Sequence, residues 1–242
     1  MQEKIKALKA AFPHTIPVLT GYMFLGIAFG ILLNSKGYSF IWAIFMSIII
    51  FAGSMQYVAI NILTAAFDPL NAFIMTLMVN ARHLFYGLSL LDKFSEAGKK
   101  KTYMMFGLVD ETFSLLCAAE PPEGVDRGWF MFFITLLNHF YWITACAIGG
   151  ILGSLVSFNT KGIDFVMTAL FVVIFLNQWK SQEKHAPALI GIAASVLCLL
   201  VLGPSNFIIP AMALIILSLT GYRKSFEKGV EKCCLPSSNQ SS

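Results

Sequence analysis

"KGYSFIWAIFMSIIIFAGSMQ", residues 36–56, is an apolar run that changes character near its end. Ala52, Gly53 and Ser54 follow the bulky residues, and Gln56 closes the run. Gly53 tolerates backbone angles that other residues avoid, so the stretch predicts a broken helix. A break at membrane depth exposes N–H groups and carbonyls, which transporters use to hold carboxylates and cations. The same small residues also suit close helix packing. The residues alone leave both readings open.

What surrounds the stretch is apolar too. The 242 residues are 57% hydrophobic and 12% charged, with a mean hydropathy of +0.73, whereas soluble domains carry about 25% charged residues. Eight apolar segments are legible, at about 14–34, 39–66, 70–91, 103–119, 129–156, 163–179, 187–203 and 205–222. Most approach the length of about 20 residues that spans a bilayer core. Helix is expected, because backbone groups in lipid must bond within their own segment, and no alternation of the barrel kind is present. The expected fold class is an all-α polytopic membrane protein, with one transporter domain over 14–222 in halves at about 14–119 and 129–222. A cytoplasmic N-terminus over 1–13 and a basic cytoplasmic tail over 223–242 flank it. The first apolar run has no small-residue cleavage site and reads as a retained helix.

Charge clusters fall between the segments. Residues 1–13 (Lys4, Lys6, Lys9), 92–101 (Lys93, Lys99, Lys100, Lys101) and 180–185 (Lys180, Lys184) are basic, and "EPPEGVDRG" at 120–128 is acidic. Basic flanks stay in the cytoplasm, which puts the acidic loop outside. That assignment conflicts with the number of segments unless one in each half fails to cross. The stretch 36–56 resembles "KGIDFVMTALFVVIFLNQ" at 161–178, and "GIAFGILL" at 26–33 resembles "AIGGILGS" at 147–154. A repeat of segments one to four as five to eight, with the second and sixth re-entrant, removes the conflict; the plainer alternative is that 39–66 spans fully and one lysine cluster lies outside. Segments one and five then run in opposite directions, as in inverted-topology transporters. Asn177 and Gln178 in "FLNQ" occupy the equivalent place in the second half, although nearer the polar loop, where an interfacial role is the plainer reading.

Three formal charges lie inside apolar segments: Arg82, Asp110 and Glu111. Such groups are costly in lipid, so they pair or line a polar path. Asp110 and Glu111 point about 100° apart on a helix, so one meets Arg82 and the other serves a different purpose. The longer Glu111 suits the pair with Arg82, which assigns Asp110 to an ammonium or a proton; a static brace is the plainer alternative. His83 and Tyr86 share a face of the Arg82 helix and extend its polar core. Of five cysteines, Cys117, Cys146 and Cys198 read as small fillers, and Cys233 and Cys234 follow the basic tail. No metal-ligand spacing and no phosphate-binding loop is present, so no cofactor is expected.

"FAGSMQ", "NARHLFYG" (80–87) and "DETF" (110–113), in this order, resemble the AzlC family of branched-chain amino acid permeases over residues from about 10 to 225. The resemblance implies export of valine, leucine, isoleucine and their analogues across the bacterial inner membrane, together with a small AzlD-type membrane subunit. It implies no enzymatic activity. A zwitterion with an apolar branch needs a carboxylate site, an ammonium site and a hydrophobic slot. Gly53, Ser54 and Gln56 are candidates for the first, Asp110 or Glu111 for the second, and Phe51, Phe113 or Phe24 for the third. A proton-coupled exporter is the leading reading; a channel, or a scaffold subunit of a transport complex, is the alternative.

Overall fold

The computed structural model describes residues 2–66, 68–155, 185–203 and 208–221, with isolated positions between 165 and 180; every regular element among them is helical. Two compact units, Met1–Leu170 and Phe171–Ser242, divide the chain. The first holds α1 (Gln2–Ser35), α2 (Phe40–Ile49), α3 (Gly53–Thr64), α4 (Pro69–Ser89), α5 (Lys100–Phe106), α6 (Asp110–Ala118) and α7 (Arg127–Leu155). A 3-10 turn at Ser95–Ala97 precedes α5. The second unit pairs α8 (Ala186–Leu202) with α9 (Ile208–Gly221). Asn177, Gln178, the repeat partner at 161–178 and the basic tail lie outside the described residues.

By length and composition, α1 and α7 can each cross a membrane. They run side by side and parallel. Lys4 sits over the Trp129 ring at their starts, at 4.4 Å, and Asn34 meets Gly153 near their ends. Between these points Gly26 faces Ala145, Gly30 faces Gly150, and Gly149 faces the Ile27 backbone. A Cβ on Gly30 would overlap the backbone nitrogen of Gly150, so these glycines set how closely the helices approach. "GIAFGILL" and "AIGGILGS" are therefore the two faces of one seam. Their parallel course overturns the expected opposition of segments one and five.

Helix α1 also starts earlier than the apolar pattern predicts, at Gln2 instead of residue 14. Ala7 and Ala11 are fully buried, and Ala11 joins a cluster with Phe94 and Phe130. Packing thus carries the helix back through its lysines, and Pro13 and Pro17 stay inside it.

The second apolar segment folds back on itself. Ser39 caps α2, accepting from the Ile41 N–H, and α3 begins after a break at residues 50–52. The Tyr38 hydroxyl reaches the Leu63 carbonyl (3.1 Å), and Gln56 reaches Ser47 (3.3 Å), so α2 and α3 form a hairpin. The residue with left-handed backbone is Phe51, at φ +35°, not Gly53. Gly53 instead opens α3, where the Trp142 ring stands 3.2 Å from where a Cβ would be.

The fourth segment folds back as well, which the sequence pattern did not predict. Helices α5 and α6 lie on α7 on either side of a break at residues 107–109: Tyr103 meets His139, and Thr112 meets Asn138. A Cβ on Gly107 would overlap Thr135, with Phe51 3.6 Å away. The tips of the two hairpins therefore meet beside the middle of α7. Helix α4, capped by Asp68 and started by Pro69, runs between them opposite to α1.

This path puts 92–101 and 120–128 at the same end. Lys93 pairs with Glu120 (3.6 Å) and Lys100 with Asp126 (3.8 Å), and Lys4 and Lys100 both lie over the Trp129 ring. The expected placement of the acidic loop opposite the lysines is thus wrong. Lysine and arginine counts orient loops, whereas acidic residues contribute little. Single cysteines at Lys100 and Glu123, in a cysteine-free background, are expected to react with an impermeant thiol reagent from the same side. Labelling from opposite sides would contradict this path.

Candidate functional site

The two helix breaks and the buried charges converge. Helices α3 and α6 both begin at the inner tips, and neither N-cap residue, Ala52 or Val109, supplies a side-chain cap. Their first-turn N–H groups leave two partly positive ends. From α4, Arg82 spans the gap: Nη2 donates to Ser54 Oγ at 2.7 Å, and Nη1 pairs with Asp110 Oδ2 at 3.0 Å. The Tyr86 hydroxyl donates to the other Asp110 oxygen at 2.7 Å, and its ring stacks on Phe113 at 4.4 Å. Spacing four apart on α4 brings Arg82 and Tyr86 to one carboxylate.

Glu111 takes a different partner. Tyr22 of α1 donates to Glu111 Oε2 at 3.0 Å, and no cation pairs with Glu111 among the described residues. Arg82 therefore pairs with Asp110, and the expected Arg82–Glu111 pair is not formed. Side-chain length did not decide it. Asp110, at the very start of α6, lies nearest Ser54 and Arg82, and the turn to Glu111 aims that carboxylate at α1.

Gln56 belongs to a second network. It is fully buried; Trp142 Nε1 donates to its Oε1 at 2.6 Å, and its Nε2 donates to Ser47. Trp142 in turn packs edge-on against Tyr22, at 5.1 Å between ring centres. The two networks thus meet through Tyr22 and Trp142. His83 lies 5.8 Å from the Tyr86 ring and lines an apolar groove of about 630 Å³ with Phe73, Asn80, Leu84 and Met105. Of the three phenylalanines, Phe113 joins the Arg82 cluster and Phe51 the hairpin tip. Phe24 is 72% exposed and joins neither.

The sequence reading passed over Tyr22, Ser47, Thr112, Asn138, His139 and Trp142. A signal existed in "NHFYW" at 138–142, a polar and aromatic run inside an apolar helix. Asn138 donates to Thr112 at 3.1 Å, while Asn138 Oδ1 and Arg82 Nε have no partner within the described residues. Chemically, the cluster combines two positive helix ends, a guanidinium with spare donor capacity, and a carboxylate without a cation. No group of three or more metal-ligating side chains is found among the described residues.

The profile of the AzlC protein family matches residues 17–156. This stretch spans the α1–α7 seam, both hairpins and the whole Arg82 cluster. This chain belongs to the AzlC protein family. A branched-chain amino acid transport protein AzlC of Bacillus subtilis is 58% identical over 222 residues, 92% of this chain and 87% of that protein. An uncharacterized membrane protein of Helicobacter pylori (strain ATCC 700392 / 26695) is 45% identical across 94% of this chain and all of its own length. The inner membrane protein YgaZ of Escherichia coli is 28% identical over 75% of this chain and 78% of its own. No solved structure matches. The matched stretch includes "FAGSMQ", "NARHLFYG" and "DETF", which the fold brings together.

Proposed function

We propose that this chain is the large subunit of a multi-pass inner-membrane secondary transporter that exports branched-chain amino acids. The observation that carries the proposal is Arg82, which bridges two uncapped helix starts while Glu111 stands without a cation. In this reading both hairpins are re-entrant, entering from opposite faces, and the inverted relation holds between α1–α3 and α4–α6 instead of between chain halves. The lysine-rich end of the unit faces the cytoplasm.

The amino acid carboxylate is received by the first turns of α3 and α6 and by Arg82 Nε; Gly53 and Ser54 line that place, with Gln56 and Trp142 behind them. Asp110 keeps Arg82 in register, held by Tyr86. Glu111 receives the substrate ammonium, or a proton when the site is empty, which would couple the two. The residues Asn177 and Gln178 remain candidates for the second half. His83 and Phe113 border the path of the apolar branch. An AzlD-type small membrane subunit acts as partner. The similarity to the Bacillus subtilis transport protein supports the substrate class.

The test is efflux of labelled valine from loaded cells, with the chain expressed alone and then with its small partner. Expression is expected to raise efflux, and Glu111→Gln to remove its dependence on external pH while leaving membrane abundance within about twofold, since a hydrogen bond from Tyr22 can still be accepted. No change in efflux with either expression would overturn the reading. An unaltered pH profile in Glu111→Gln would remove Glu111 from the coupling.

A further inference from the structure

His139 occupies the point where the two hairpins meet. It lies on α7, 7% exposed, and touches three segments at once. Its Nε2 is 3.2 Å from the Ser47 carbonyl of α2. Its Nδ1 is 2.8 Å from the Tyr103 hydroxyl of α5. The ring lies 4.3 Å from the ring of Phe51, tilted by 31°. A carbonyl can only accept, so Nε2 carries the hydrogen, and in the neutral ring Nδ1 accepts from Tyr103.

The Ser47 carbonyl needs this partner. Helix α2 ends at Ile49, and its last carbonyls lack intrahelical donors. An unpaired carbonyl in an apolar interior is costly. Phe51 needs support too, because a bulky residue at φ +35° persists only where its surroundings hold it. On the far side, Gly107 at the second tip faces both Phe51 and Thr135.

We propose that His139 is a positioning residue that bolts the tips of the two hairpins together through its two hydrogen bonds. It touches neither Arg82 nor the carboxylates, and acts on the site only by keeping the starts of α3 and α6 in register. Its effect on transport rests on the function proposed above; the bolt itself does not.

The native thiol Cys146, fully buried on the same helix and against the Ser47 hydroxyl, reports on the bolt without transport. With Cys117, Cys198, Cys233 and Cys234 replaced by serine, the rate of Cys146 alkylation by N-ethylmaleimide measures local opening. His139→Phe keeps a ring against Phe51 but removes both hydrogen bonds. It is expected to raise the alkylation rate about tenfold and lower maximal valine efflux about tenfold, with the KM nearly unchanged. His139→Gln offers one donor and one acceptor at similar spacing and is expected to restore both to within about threefold of wild type. Tyr103→Phe, which loses one bond and keeps its ring, is expected to fall between them and serves if His139→Phe does not reach the membrane.

Wild-type alkylation in both His139→Phe and Tyr103→Phe would overturn the bolt. So would a glutamine variant as impaired as the phenylalanine one, since the ring would then matter and the hydrogen bonds would not. If the alkylation pattern appears while the wild-type chain moves no valine, the bolt stands and the transport reading falls.

Discussion

Arg82→Ala is expected to reduce valine efflux by about a hundredfold or more and to lower membrane abundance. Breaking a desolvated ion pair leaves the surviving charge uncompensated and costs about 3–5 kcal/mol. The pair is well sheltered, with side chains 26% and 20% exposed, so most of that cost should be felt. Among the described residues Asp110 would keep the Tyr86 hydroxyl alone, and Ser54 would lose its Arg82 donor. The second substitution that restores abundance is therefore specific. Asp110→Asn in the Arg82→Ala background is expected to recover most of the protein, because it removes the stranded charge and still accepts from Tyr86. Glu111→Gln in the same background is not, since Glu111 is held by Tyr22. Immunoblotting of membranes for the single and double variants decides between the carboxylates; rescue by Glu111→Gln alone would refute the pairing. Neither double variant is expected to transport at the wild-type rate, because Arg82 Nε is assigned to the substrate carboxylate.

Gly53→Leu is expected to abolish efflux, by about a hundredfold, while the protein still reaches the membrane. The nearest atom to a Cβ at this position is Trp142 Cη2, at 3.2 Å, and a leucine would force the indole aside at an overpacking cost of about 1–3 kcal/mol. Trp142 cannot move without releasing its 2.6 Å bond to Gln56 and its contact with Tyr22, so the disturbance reaches both networks. Trp142→Phe removes the crowded ring atoms and is expected to recover part of the efflux in the Gly53→Leu chain. Full activity of Gly53→Leu alone would mean that the start of α3 has room to spare and that the residue serves packing only.

The interruption in the second segment was legible, because a glycine at the end of a bulky apolar run weakens a helix. Which residue carries the unusual backbone was not, since Phe51 is held there by His139 and Gly107, both distant in sequence. The fold-back of the fourth segment escaped notice for a related reason. Gly107 is a single glycine in an apolar run, and only Thr135 across the interface makes its missing side chain necessary. Arg82, Asp110 and Glu111 announced themselves as charges among apolar neighbours. Their pairing depends on the rotation of α6, which no local pattern records.

The sequence by itself determined that the chain is built from apolar helices and that charge gathers at the ends of the apolar segments and in one inner cluster, and its motifs resemble those of the AzlC family. The first two follow from local chemistry: the need of the backbone to bond within its own segment and the cost of charge in lipid. Tertiary structure alone decided direction and partnership. It made α1 and α7 parallel, with their glycine faces meeting along one seam. It joined the acidic and basic loops through Lys93–Glu120 and Lys100–Asp126, and it gave Asp110 to Arg82 and Glu111 to Tyr22. Each of these is a contact between residues far apart in the chain, so its energy exists only once the helices have packed.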